Sequence, residues 1–476
     1  MSGSLSSIIS NAQSGLTATK AGIAVISNNV ANAGVTSYSL ESQDVSSFDV
    51  GGQTFGVQTG VVSRSVNAAL EASAWAAASS VAGLSVQSQV LTAINNTQGT
   101  PGDGTSLADV VTALQSAFTN LQAQPSSQTG QSAVVAAANT LASTINNTAD
   151  TITAQRNDVQ SQIVSEVSTL NAALATVNST TQQIISATGS GNSTAALEDQ
   201  RDSALQTLSS TMNLQYTEQP NGNISLSTPG GLAIPLDSTF STQSAVLSPG
   251  STYTPGGSSV PPILLQSSNP DIPPVDVTEQ ISGGSLGSLI QLRDTTLPAY
   301  TTSLDTFSAN LANQFSAQGL QLFTDGSGNT PLTSYAGLSS AIEVNPAVTA
   351  TPSLVRDGTS GSANPGGAAG FTGVIDNVLN TTFGSTGTTP SLETQAQNFV
   401  SQQSADTEQV GTNLTNATAY QTTVGTALSN GSGVNVDQQM GLMIQLQNAY
   451  QANAQVITTA AQMFTALTEI FVQAVG

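Results

Sequence analysis

The closest this sequence comes to a reactive constellation is Glu198, Asp199 and Asp202, three carboxylates on one short stretch. Two carboxyl groups in different environments can serve as acid and base on a glycosidic bond. The competing reading is a solvated helix start, where acids oppose the positive end of the helix dipole and Arg201 partners one of them. A second stretch, Asp325-Gly-Ser-Gly-Asn329, opens like a calcium loop. Its twelfth position is Ala336, where a bidentate Glu is required, so it reads as a polar turn. The chain has no His and no Cys, which excludes Ser-His-Asp triads, thiol nucleophiles, disulfides and thiolate zinc sites. No catalytic, cofactor-binding or metal residue is expected, no cofactor either, and Asn-x-Thr triplets such as Asn146-Asn-Thr148 are a chance product of so Ser/Thr-rich a chain.

Charge narrows the partners. Of 476 residues only 7% are charged, and the formal net charge is -22 with six Lys plus Arg. Typical soluble chains carry about 25% charged residues, so this surface must be polar and mostly uncharged. Phosphate contacts need clustered cations, which argues against nucleic acid and anionic membrane as partners. No apolar run reaches the ~20 residues of a membrane span. The N-terminal Met1-Ser-Gly-Ser-Leu-Ser-Ser lacks the basic and apolar regions of a cleaved signal peptide. A cytoplasmic chain, or one exported with its N-terminus intact, is the expectation, and the absence of Cys suits a passage between reducing and oxidising spaces.

The elements that would carry these residues begin with two terminal helices. Ile9, Ala12, Leu16, Thr19, Ile23, Ile26 and Val30 alternate by three and four, a heptad seam ending near Asn32-Ala33-Gly34. At the other end Met443, Leu446, Tyr450, Asn453, Ile457, Ala460, Phe464, Leu467 and Phe471 do the same, flanked by Leu442, Ala449, Val456, Met463 and Ile470. That predicts a helix over about 437–475, on the order of 55 Å long. Neither helix carries enough core alone, so each needs the other, and the wide C-terminal stripe favours further copies of the pair. Asn453 on the seam either fixes register or faces water.

Between the ends, helices are expected over 63–188, including a face of Leu107, Val110, Val111, Leu114, Phe118 and Leu121 after a turn-rich break at 97–105. Trp75 reads as a packing anchor. A row from Val134 through Leu141, Ile145, Ile152, Val159, Ile163, Val167, Leu170, Leu174 and Val177 to Ile184 and Ile185 predicts one helix of nearly 60 residues, which implies a rod or a kink. Further helices are expected over 197–208, 287–317 and 391–428. Short alternating runs at 214–218, 224–227, 233–236 and 263–266 read as strands, and 319–390 as strands or loops. The fold class that follows is mainly α with β-rich inserts, an elongated multi-domain chain. Coiled-coil-like termini (1–62 with 431–476) pair at one end. A helical-bundle body holds 63–212, 285–318 and 391–430. Small β domains at 213–284 and 319–390 lie outermost.

Several motifs carry a resemblance. Ser14-Gly-Leu16 and Asn28-Asn-Val-Ala-Asn32 resemble the N-terminal motif of bacterial flagellar axial proteins. Gln131-Ser-Ala-Val-Val-Ala-Ala-Ala138, Leu197-Glu-Asp-Gln-Arg-Asp-Ser-Ala-Leu-Gln-Thr-Leu-Ser209, Ile281-Ser-Gly-Gly-Ser-Leu-Gly-Ser-Leu-Ile-Gln-Leu-Arg-Asp294 with Leu297-Pro-Ala-Tyr300, and Ser432-Gly-Val-Asn-Val-Asp437 with Gln447-Asn-Ala-Tyr-Gln-Ala-Asn-Ala454 are similar to the FlgK family of flagellar hook-associated proteins. Val35-Thr-Ser-Tyr38 and Gln438 depart from that family's usual residues, and 238–274 and 319–390 match poorly.

The resemblance implies a secreted structural protein at the hook–filament junction of the extracellular flagellum, self-assembling into a ring. It would pass the flagellar type III export apparatus and contact the hook protein and a second hook-associated junction protein. An export chaperone of the FlgN type would hold the C-terminal helix. The assembly interface expected from the two seams and the Asn-rich motif comprises Leu16, Ile23, Ile26, Asn28, Asn29, Val30, Asn32, Met443, Leu446, Tyr450, Asn453, Ile457, Phe464, Leu467 and Phe471. Free monomers would keep the terminal helices disordered or chaperone-bound until burial against neighbours offsets the ordering entropy. Alternatives are another axial protein such as the hook protein or a flagellin, a carboxylate glycan hydrolase, and an acidic β-rich adhesin.

Overall fold

The computed structural model describes all residues except 1, 36–37, 51–52, 100–101, 330–332, 385–389 and 476; for 2–4, 50, 53–54 and 471–475 only the backbone is described. In chain order the elements are α1 (Ser2–Asn32), β1 (Glu41–Val50), β2 (Gln53–Arg64), α2 (Ala68–Gln98), α3 (Leu107–Ala123), α4 (Gln128–Gly189) and α5 (Ala195–Thr211). There follow β3 (Gln215–Glu218), β4 (Ile224–Ser227), β5 (Ala233–Ile234), β6 (Thr239–Ser241), β7 (Leu264–Gln266) and β8 (Val275–Asp276). Then come α6 (Gly284–Gln291), a π turn (Leu292–Thr296), α7 (Leu297–Ala317), β9 (Phe323–Asp325), α8 (Leu338–Ala341), β10 (Ile342–Val344), α9 (Pro346–Ala350), α10 (Leu354–Asp357) and α11 (Gly373–Asn377). Two long helices, α12 (Leu392–Ser432) and α13 (Val436–Val475), close the chain. The fold is mainly α with small β inserts.

Where apolar residues recur every three or four positions over several turns, helices form at the expected places. The α4 row is buried at every position named above except Ile185, which is half-buried. Helix α3 starts on a capping box in which the Ser106 hydroxyl accepts from the Asp109 amide while the Asp109 carboxylate takes the Ser106 amide. This explains why the turn-rich break ends there. Two regions depart from expectation. Residues 41–50 and 53–64, for which heptad periodicity gives no helix, form a long antiparallel strand pair joining Glu41 with Arg64 and Gln43 with Val62. Irregularities follow Gln43 and Ser47 and break the apolar alternation that would announce a strand. Within 319–390, read as strands or loops, α8 to α11 are single helical turns of four or five residues, too short to show a period.

The chain divides into two compact units. The first holds residues 1–79, 170–238 and 418–476. In it α1 packs on α13, the hairpin lies against α1, and β3, β4 and β5 form a three-stranded antiparallel sheet. Its β3–β4 turn needs Gly222, whose φ is +83° and where an added Cβ would stand 2.4 Å from Ile184 Cγ2. Trp75 packs against Tyr216, ring centroids 5.1 Å apart.

The second unit holds 80–169 and 239–417. Its core clusters Phe118, Phe315, Phe323 and Phe383, with centroids 5.5 to 6.2 Å apart. A buried arginine pair ties the 238–274 stretch to α4 and the π turn. Arg293, fully buried, donates to both Asp294 oxygens, to Gln160 Oε1 and to the Pro261 carbonyl. Arg156 donates to the carbonyls of Arg293, Ser248 and Ser251. These bonds reinforce the order that buried Phe240, Leu247, Val260, Ile263 and Leu265 give this Ser/Thr/Pro-rich stretch.

Candidate assembly interface and its Arg64 anchor

The terminal helices run antiparallel with a heptad register written in side chains. Gly15 faces Asn453, Gly22 faces Leu446 and Asn29 faces Gln439. Each step of seven along α1 moves seven back along α13. A Cβ at Gly22 would lie 2.8 Å from Leu446 Cδ1, and one at Gly15 would lie 2.9 Å from Asn453 Nδ2. The two glycines are therefore notches that receive those side chains. Asn453, half-buried, thus occupies a seam position against α1.

Asn29 is the joint of this arrangement. Its Nδ2 donates to the Glu41 carbonyl at 2.9 Å and to Gln439 Oε1 at 3.1 Å. Its Oδ1 accepts from the Tyr38 hydroxyl at 2.9 Å and the Glu41 amide at 3.0 Å. All four hydrogen-bonding valences of one amide are used, at a residue 1% exposed. A single side chain so fixes the end of α1, the start of β1 and the start of α13.

The fifteen residues singled out from the sequence separate into three groups. Ile26 and Asn29 are buried, and Leu16, Ile23, Val30, Asn32, Met443, Leu446, Asn453, Ile457 and Leu467 are half-buried. Asn28, Tyr450 and Phe464 are exposed. The side chain of Phe471 lies outside the described residues, as do Thr36 and Ser37 of the Val35–Tyr38 turn. Along α13, Met440, Leu442, Ile444, Val456, Met463 and Ile470 stay 40 to 64% exposed. Leu442, Val456, Met463 and Ile470, spaced by sevens or a multiple of seven, share one flank beside the α1 seam, whereas Met440 and Ile444 lie on another side of the helix.

The three carboxylates met first in the sequence converge, though on a cation the sequence reading did not select. Arg64, the last residue of β2, donates from Nε to Glu198 at 2.8 Å, and from Nη1 to Asp199 at 2.6 Å and Asp202 at 2.7 Å. The expected partner, Arg201, points elsewhere: it is 1% exposed and donates to Glu218 at 2.7 Å and to the Gly222 carbonyl at 3.0 Å. Around α5, Arg201 lies about 100° from Asp202 and about 160° from Asp199, and its guanidinium is taken by Glu218 and the Gly222 carbonyl. Arg64 carries no local signal, since its partners lie 134 to 138 residues away.

Burial of Arg64 would lower its pKa, but Asp202, Asp199 and Glu198 outweigh that and hold it above the ordinary arginine range. Burial pushes Asp199 and Asp202 up, against the pull of Arg64. One guanidinium holding three carboxylates makes the cluster a fastener between hairpin and α5.

The Asp325 turn is closed on itself. Its Oδ1 accepts the amides of Ser327 and Asn329, at 3.0 and 2.8 Å, and its Oδ2 accepts Asn329 Nδ2 at 3.0 Å. Those bonds from Asn329 hold the carboxyl below its usual range. Among the described residues no group of three His, Cys, Asp or Glu side chains is placed to hold a metal ion, and no helix is long and apolar enough to cross a membrane.

The family model described as the flagellar hook-associated protein FlgK helical domain matches residues 91–330. The one described as the flagellar basal body rod FlgEFG protein C-terminal matches residues 427–470, within the α12–α13 end. Flagellar hook-associated protein 1 of Escherichia coli (strain K12) is 25% identical over 324 residues, which is 66% of this chain and 57% of that protein. The protein of the same name from Salmonella typhimurium is 26% identical over 335 residues, 68% of this chain and 58% of its own length. The chain therefore spans under two thirds of the length of these curated relatives. A solved structure, the flagellar hook junction protein FlgK from Burkholderia pseudomallei, aligns with a TM-score of 0.44 at 24% identity, covering 54% of this chain and 45% of that one. The helical-domain match takes in half of the sequence, and the chain belongs to the FlgK family of flagellar hook-associated proteins.

Proposed function

We propose that this chain is a structural adapter of the bacterial flagellum that joins hook to filament and lets the filament grow, and that it is not an enzyme. The observation that carries the reading is the apolar row of Leu442, Val456, Met463 and Ile470 along one flank of α13, left exposed beside the α1 seam. Such a row needs burial, and repeated copies of the α1–α13 pair packed side by side provide it. Self-assembly into a ring at the extracellular junction follows, with the hook protein on one side and a second hook-associated protein on the other. The same row is the surface that a chaperone of the FlgN type would shield before export. The fifteen residues named from the seams, Phe471 included, belong to this interface in the proposal. A hook-protein or flagellin identity is disfavoured because the FlgK helical domain, and not only the shared axial C-terminus, is matched. Deleting the gene should leave hooks without filaments and flagellin monomers in the medium; normal filaments on the deletion strain would refute the adapter role.

A further inference from the structure

Beside the Arg64 fastener lies a cavity of about 410 Å³, lined among others by Tyr38, Glu71, Trp75, Asp202, Gln206 and Ser429. The charges around it are unbalanced. Strand β1 contributes Glu41, β2 contributes Arg64, α2 contributes Glu71, α5 contributes Glu198, Asp199, Arg201 and Asp202, and β3 contributes Glu218. Tyr38 and Tyr216 are the phenols of the cluster, while the wall from α12 brings only uncharged groups such as Gln421 and Ser429. Both guanidinia are committed, Arg64 to three carboxylates and Arg201 to Glu218 and a carbonyl. Among the described residues Glu71 has no ion pair. It faces the cavity with Asp202 as its neighbour and no cation in contact.

We infer that this acid excess makes the joint between the β1–β2 hairpin, α2 and α5 pH-sensitive, firm in mildly acidic solution and looser in alkaline solution. With Glu71 ionised, its half-buried charge sits against Asp202, and Arg64 and Arg201, each engaged by other carboxylates, offset it only in part. With Glu71 protonated, that repulsion ends, and the carboxylic acid gains a donor for the polar cavity wall. Burial first, and then the Asp202 charge, push the Glu71 carboxyl up to about 7. In the unfolded chain it returns to its ordinary value of 4.5. Between those values the folded state holds the extra proton. Stability is therefore present below about pH 4.5 and lost as pH rises through about 7. Glu41, Asp199 and Asp202, all raised chiefly by burial, act in the same direction.

The only Trp of the chain, Trp75, lines the cavity and reports on it directly. Urea unfolding of the full chain, followed by Trp75 fluorescence, should show a folding constant larger by on the order of tenfold at pH 5.5 than at pH 8, after allowance for the partial solvent contact of Glu71. Glu71→Gln should raise the midpoint at pH 8 and flatten the dependence. Unfolding the unaltered chain at pH 6 should release protons, a measurement that needs no variant. A wild-type midpoint that is flat or falls toward acid, a Glu71→Gln chain that keeps the wild-type slope, or no proton release on unfolding would each overturn the inference. None of these readouts depends on where the protein acts.

Discussion

Asn29 and Gln439 lie 410 residues apart in sequence, yet their amides meet at 3.1 Å in the interior of the terminal helix pair. The contact favours one register out of the several that an Ala- and Ile-rich seam would allow, because shifting α13 by a heptad would leave the buried Gln439 Oε1 without a partner and one valence of Asn29 unfilled. Gly22 against Leu446 and Gly15 against Asn453 repeat the same register by shape. Substituting Asn29 by Ala removes four hydrogen bonds and strands the Tyr38 hydroxyl and the Glu41 backbone. The expected loss is roughly 3 kcal/mol in the Trp75-monitored urea transition.

The glycine notch can be tested by overfilling and emptying. Gly22→Val should cost about 2 kcal/mol, since its side chain would occupy the place of Leu446 Cδ1. Leu446→Ala alone should also destabilise. The double variant should recover on the order of 1 kcal/mol relative to the sum of the two, which a double-mutant cycle measures. Strict additivity would mean that the two residues do not touch.

Arg64→Gln leaves Glu198, Asp199 and Asp202 facing one another with their shared cation gone. A loss of roughly 3–5 kcal/mol is expected, the range for breaking one side of a buried ion pair. The three carboxylates would then bind protons more readily, so the variant should regain part of its stability as pH falls from 7 toward 5. Arg64→Lys keeps the charge but loses the fork that reaches three acids, and should fall between the two in a chemical-denaturation series.

In the second unit, Arg293→Met strands Asp294, Gln160 Oε1 and the Pro261 carbonyl. Thermal unfolding should begin earlier, by roughly 3 kcal/mol of stability. The 238–274 stretch should become more open to protease attack, because Arg293 and Arg156 hold the Pro261, Ser248 and Ser251 carbonyls.

Limited proteolysis of the monomer should trim α13 from its C-terminal end. Among its described side chains Ala460 is the last buried one, and from 461 to 470 only Leu467 is even half-buried. Cleavage is expected beyond about residue 460 before the 430–450 stretch, which the Asn29 and Gly22 contacts hold. Uniform protection of both ends of α13 would contradict this order.

The long helices were legible because their apolar spacing is local information. Rows such as Val134 to Val177 and Met443 to Leu467 state their own period, and the pairing of α1 with α13 follows from two seams that each lack a core. What stayed hidden was long-range. Asn29 belonged to a recognisable motif, but its role depends on Glu41 and Gln439, which periodicity cannot place beside it. Arg64 sat unremarked between a strand and a helix, while Arg201, adjacent to the acids in sequence, drew the pairing that geometry denies it. The hairpin escaped because irregularities after Gln43 and Ser47 interrupt its alternation. The same economy runs through the chain. Of its six cations, all five arginines have side chains almost wholly withdrawn from solvent, which leaves Lys20 as the exposed one.

The adapter reading is tested most directly by locating the protein on isolated flagella with labelled antibody and electron microscopy. The account predicts a single labelled band where the hook meets the filament. Label distributed along the filament or over the hook, or absent from flagella altogether, would contradict it.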